Sequence, residues 1–94
     1  MEYLKKYGLK EEEIEKIKEK YNDWIIKFIT ENEEFVTETI EYLYSENIKI
    51  IYYLMINNIQ IFLETKIALR EKIEGLKEQG LPRKKIQMEL LGEK

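Results

Sequence analysis

Leu4-Lys5-Lys6-Tyr7-Gly8-Leu9 and Leu76-Lys77-Glu78-Gln79-Gly80-Leu81 are two versions of one phrase, and Leu43-Tyr44-Ser45-Glu46-Asn47-Ile48 is a third. In each, a leucine is followed four residues later by glycine or asparagine and five residues later by another aliphatic residue. A glutamate stands two residues ahead of each leucine, as Glu2, Glu41 and Glu74. Physically this pattern describes the end of a helix. The leucine lies on the last buried turn, and the glycine or asparagine takes the left-handed conformation that other residues resist. The following aliphatic residue then folds back onto the helix just ended. Ile14 lies ten residues after Leu4 and Ile86 ten after Leu76, each within the next helix, with Tyr53 in the matching place of the middle copy. The three leucines are 39 and 33 residues apart, a period suited to a stacked helical array.

Outward from these corners the chain reads as helix throughout. Between Lys10 and Tyr21, Ile14, Ile17 and Tyr21 form one apolar stripe, and Glu11, Glu12 and Glu13 occupy a first turn where the helix dipole favours anions. Asn22 is placed to cap a second helix whose apolar residues are Trp24, Ile25, Phe28 and Ile29. Asn32 is placed to cap a third, carrying Phe35, Val36, Ile40, Leu43 and Tyr44. Asn57-Asn58 should interrupt the apolar run that begins at Lys49, because asparagine competes for backbone hydrogen bonds. Thr65 can cap a long helix with the stripe Ile67, Leu69, Ile73 and Leu76, closed by Gly80. Pro82 suits the first position of a last helix, where its missing N–H does no harm. No segment alternates with period two. The expectation is an all-α, single-domain chain (1–94), a compact bundle of six or seven short helices.

A helix ending Glu-Tyr-Leu-Lys-x-x-Gly-Leu, followed by one starting Glu-Glu-Glu-Ile and then a short third helix, resembles the repeat of mitochondrial transcription termination factor (mTERF)-like proteins. That resemblance covers residues 2 to about 90, or two repeats, and implies a curved stack of three-helix units. It also implies nucleic-acid binding along a basic concave face. Here Asn22-Asp23 and Asn57-Asn58 stand where that family usually carries proline, and its long basic groove is missing. Fold can be shared without function.

Composition narrows the chemistry. The 94 residues contain no cysteine and no histidine, which removes thiolate nucleophiles, disulfides, the commonest general base and the commonest transition-metal ligand. There is one aspartate, Asp23, and one serine, Ser45. Glutamates such as Glu11, Glu12, Glu13, Glu15 and Glu19 fall on a polar helix face, in water, whereas a catalytic carboxylate needs burial or a close partner. No glycine-rich phosphate loop is present. The chain reads as a non-enzyme without a cofactor or metal. The most apolar stretch, Ile48–Leu63, is sixteen residues long and contains Lys49, Asn57, Asn58 and Gln60, too short and too polar to span a bilayer. With a charged, amphipathic N-terminus, the expectation is a cytoplasmic protein that does not enter a membrane.

Binding remains. The net charge of −3 is unevenly shared: residues 1–47 hold 7 basic and 13 acidic side chains, residues 48–94 hold 9 and 6. The first expectation is a small regulator or inhibitor that docks on another protein, or on a second copy of itself. Its contacts would come from the acidic N-terminal half, through Glu11, Glu12 and Glu13, or from the aromatic residues Trp24, Tyr52 and Tyr53, since Tyr and Trp bury large areas at small entropic loss. An open-ended stack would leave Leu4, Leu9, Met88 and Leu91 for a partner to cover. The alternative is nucleic-acid binding through Arg70, Lys77, Arg83, Lys84 and Lys85. From Arg70 to Gly92, the residues Ile73, Leu76, Gly80, Ile86, Leu90 and Gly92 resemble the first two-thirds of a helix-turn-helix, with the sequence stopping at Lys94 before a recognition helix.

Overall fold

The structure, a computed structural model, describes residues 1–92. A 3-10 helix (Glu2–Tyr7) opens the chain. Seven α-helices follow among the described residues: α1 (Glu11–Lys20), α2 (Asp23–Glu31), α3 (Glu33–Ser45), α4 (Ile51–Asn57), α5 (Gln60–Leu63), α6 (Lys66–Glu78) and α7 (Arg83–Leu90). The class is all-α.

All three corners have one hydrogen-bond pattern. Gly8, Asn47 and Gly80 sit at φ of 88°, 61° and 78°, and Asn47 is the sole non-glycine among the described residues with positive φ. The residue after each donates back to its leucine carbonyl: Leu9 to Leu4 at 3.4 Å, Ile48 to Leu43 at 2.8 Å and Leu81 to Leu76 at 3.4 Å. The corner residue itself donates to the carbonyl three earlier, at Lys5, Tyr44 and Lys77. This double closure is the Schellman arrangement, and it satisfies carbonyls that a helix end otherwise leaves open.

The middle copy departs at one place. The carbonyl just before each new helix accepts from Ile14, Leu54 and Ile86, not from Tyr53. Ile50 is an extra residue in the second corner, so the inward role of Ile14 and Ile86 passes to fully buried Leu54 and Tyr53 turns outward.

Two of the three polar caps work as read. Asn22 Oδ1 accepts from the Ile25 N–H at 3.3 Å, and Thr65 Oγ1 from the Ala68 N–H at 3.2 Å. Asn32 does not cap α3; its Nδ2 donates to the Phe28 carbonyl at 2.9 Å and closes α2 instead. The gap between α2 and α3 is one residue, so the preceding carbonyl is the nearer partner. Pro82 stands one residue earlier than expected, as the cap before α7.

One hydrophobic cluster runs through the molecule, with Leu4, Ile14, Ile17, Ile29, Ile40, Leu43, Leu54 and Phe62 among its sealed side chains. α3 lies against α2, α5 and α6, while α1 packs on α4. Polar ties fix these layers. The Tyr3 hydroxyl donates to the Ile29 carbonyl at 2.6 Å, joining the 3-10 helix to α2. The Tyr21 hydroxyl reaches the Met55 and Ile56 carbonyls at the end of α4. Asn58, at the α4–α5 break, donates to the Leu90 carbonyl at 2.8 Å and anchors α7. Leu4 and Leu9, expected to be covered by a partner, are buried by the chain itself. Ile67, assigned to the α6 stripe, faces outward, because α6 buries only Leu69 and Ile73 fully.

Two substitutions test this account in urea melts. Asn47→Gly should hold or raise stability, whereas Asn47→Ala, forced to positive φ, should lower it by roughly 1 kcal/mol. Gly75 lies inside α6 with open space where a Cβ would stand, so Gly75→Ala should add about 0.5–1 kcal/mol.

Candidate interaction surface

The first two corners come together because α1 packs on α4. Between them lies a groove of about 200 Å³, whose walls include Tyr7, Leu9 and Glu13 on one side and Lys49, Ile50, Tyr52 and Tyr53 on the other. The backbone of Gly8 faces the same opening. Tyr52 and Tyr53 meet edge to face with ring centroids 5.4 Å apart, and Tyr53 is 58% exposed. Tyr7 is held in place from the other wall: its ring meets Tyr44 edge-on at 5.7 Å, and the Tyr44 hydroxyl donates to the Tyr7 carbonyl at 3.1 Å. The lining is therefore apolar and aromatic, with one carboxylate and one ammonium. At this volume the groove takes one or two amino-acid side chains; small-molecule sites are typically about 300–1,000 Å³.

Of the residues assigned to protein binding, Glu13, Tyr52 and Tyr53 share this groove, while Glu11, Glu12 and Trp24 do not line it. Glu13 is also a structural group, since its Oε1 accepts from the Lys10 N–H at 2.9 Å and caps α1. Glu11 pairs with Lys5, which also holds Glu2 at 2.8 Å. Those two carboxylates keep the Lys5 ammonium protonated above the ordinary lysine range, the Glu11 contact most strongly. Glu12 is exposed. Trp24, on the second position of α2, is 61% exposed and is not part of the α2 core face, which is sealed by Ile29.

Sequence reasoning missed Tyr7, Lys49 and Ile50. Each flanks a corner residue by one to three positions, which is the signal that the wall of a helix junction carries. That the two corners face each other depends on α1–α4 packing and has no local signature.

The basic residues are divided. Arg70 is exposed on α6, and Arg83, Lys84 and Lys85 are exposed in the first turn of α7. Lys77 is engaged: it pairs with Glu46 beyond the end of α3 and approaches Glu74 at 4.0 Å. The Glu46 contact raises its pKa. Among the described residues no cluster of three potential metal ligands occurs, and no helix is long and apolar enough to cross a membrane.

No family model, curated protein or solved structure matches this chain.

Burial raises the pKa of Tyr3, Tyr7, Tyr21 and Tyr42, in each case as the main cause, and Glu33, Glu41 and Glu46 add to it at Tyr3, Tyr7 and Tyr42 respectively. A folded-state pKa above the unfolded value near 10 means that these groups contribute fully below about pH 10. That contribution is lost as pH rises through the raised values. Alkaline titration should therefore show helix loss by circular dichroism together with a late, steep rise in tyrosinate absorbance.

Proposed function

We propose that this chain works by binding and not by chemistry, as a small helical interaction protein that receives one or two side chains of another protein in the tyrosine-walled groove. The observation that carries this reading is Tyr53. It is a large ring, 58% exposed, on the wall of a groove that also presents Tyr7, Tyr52 and Ile50. Folding gains little from leaving that ring in water, whereas an incoming side chain would gain much from covering it. Lys49 and Glu13 supply one charge of each sign at the opening, enough to orient a ligand segment.

The stacked-repeat reading supports the same site. If the three corners are copies of one unit, as the mTERF resemblance implies, the extra Ile50 is what turns Tyr53 outward in the middle copy alone. The groove then belongs to a departure from the repeat, not to the repeat itself.

Nucleic-acid binding by the basic residues is the competing reading. It is weakened by Lys77, which is already committed to Glu46 and Glu74.

The test is capture by the immobilised chain from lysate of its native host, with and without nuclease. A nuclease-resistant protein band is expected from the wild-type chain. Tyr53→Ala should weaken recovery of that band by about 30-fold, the loss typical of an anchor residue, while Tyr53→Phe retains most of it. Since Tyr53 is exposed, its alanine variant should melt within about 0.5 kcal/mol of wild type. Recovery that vanishes with nuclease, or that falls steeply with salt and on Arg83→Gln, would transfer the function to the basic helices.

A further inference from the structure

A second surface lies at the other end of α3. Two adjoining hollows, of about 240 and 450 Å³, share Glu33 and Glu34 where α2 turns into α3. Glu31 and Glu38 extend the acidic rim on either side. Phe35 lines the larger hollow, half-buried and edge-on to Phe28 at 5.5 Å, so one apolar ring stands among the carboxylates. Within the described residues none of these four glutamates takes part in an ion pair. The last turn of α2 carries no basic residue.

The opposite end of the molecule has the complementary make-up. The Glu46–Lys77 pair sets the end of α3 beside the end of α6. Immediately after that point come half-buried Leu81 and exposed Pro82, then Arg83, Lys84 and Lys85, all exposed. Within the described residues these three cations also lack ion-pair partners. α3 has 13 residues, so its two ends are about 20 Å apart. That distance exceeds the screening length at physiological salt, about 8 Å, and the acidic rim cannot be neutralised by the basic corner of its own chain.

We propose that the occupant of the acidic groove is a second copy of this chain, joined head to tail. Leu81 and Pro82 of one molecule cover Phe35 of the next, and Arg83, Lys84 and Lys85 meet Glu31, Glu33, Glu34 and Glu38. Both features of the groove, the Phe35 ring and the acidic rim, find their counterpart in one five-residue segment of the same sequence. A two-fold symmetric dimer through either surface is disfavoured, because it would set glutamates against glutamates or cations against cations. Joined end to end, with the groove of one molecule on the corner of the next, the contact is heterologous and leaves a free acidic groove at one end and a free basic corner at the other. It uses neither Tyr53 nor the tyrosine groove.

Sedimentation of the full chain tests this. At about 0.01 M salt, where the screening length is ~30 Å, the weight-average mass should climb with protein concentration; at about 1 M salt, where it is ~3 Å, it should return to the monomer. The neutralised pairs Glu33→Gln/Glu34→Gln and Arg83→Gln/Lys84→Gln should each weaken association about tenfold when alone. Mixing the two variants should restore a single 1:1 dimer that grows no further, since one intact groove and one intact corner remain. Tyr53→Ala should associate like wild type. If either pair lost helicity, Glu31→Gln/Glu38→Gln or Lys85→Gln would take its place. A wild-type chain monomeric under all these conditions, variants that associate undiminished, or a mixture that forms no dimer would each overturn the proposal.

Discussion

The backbone bond from the residue after each corner to the leucine carbonyl five positions earlier is the constraint on which the rest of the structure depends. A helix that ends in water needs no particular direction for the chain that leaves it. A helix whose last carbonyls are closed by Leu9, Ile48 and Leu81 commits the chain to turn back along the face it has just built. In the first two corners that turn buries the aliphatic residue almost completely, Leu9 at 4% exposure and Ile48 at 1%. The left-handed residue makes this possible, and an L side chain there resists it by roughly 1–2 kcal/mol. Two corners meet that requirement with glycine. The third uses asparagine, the residue that tolerates the conformation best among those with a Cβ.

Much of the fold was legible because such constraints are local. Schellman ends, the Asn22 and Thr65 caps, and apolar spacing near 3.6 residues are all written within a window of six to twelve residues. Where local reasoning went astray, a second local option was close in energy. Asn32 could serve the helix before it or the helix after it, and with only one residue between α2 and α3 it closed the former. Tyr53 was matched to Ile14 by counting, but a single added residue at Ile50 rotates the helix start. Leu54 then takes the core position. An amphipathic count treats Trp24 and Ile67 as core, although both face water, at 61% and 63% exposure, while Ile25 and Leu69 in the same turns pack inward.

The surfaces were less legible than the core, and for a different reason. A groove is defined by what two separate segments leave uncovered. Residues 7–9 and 49–53 line one groove because α1 lies on α4, a relation that no spacing within either segment expresses. The acidic rim at the α2–α3 junction was visible as a count of glutamates in the first half of the chain. The place of Phe35 among those carboxylates was not, since its spacing marks it only as one of the apolar residues of α3.

Ion pairing decides which charges remain available for recognition. Lys5 draws in Glu2 and Glu11, and Lys77 draws in Glu46 and Glu74, so these charges are compensated within the chain. Such exposed pairs stabilise by less than about 1 kcal/mol, but they remove their members from contact with other molecules. Among the charges that take part in no ion pair within the described residues are four carboxylates at one end of α3 and, beyond the other, three cations. A helix of 13 residues, about 20 Å long, is too long for those groups to satisfy one another. The same corners that fix the fold therefore also keep opposite charges apart. That separation, more than the net charge of −3, governs what the surface can attract.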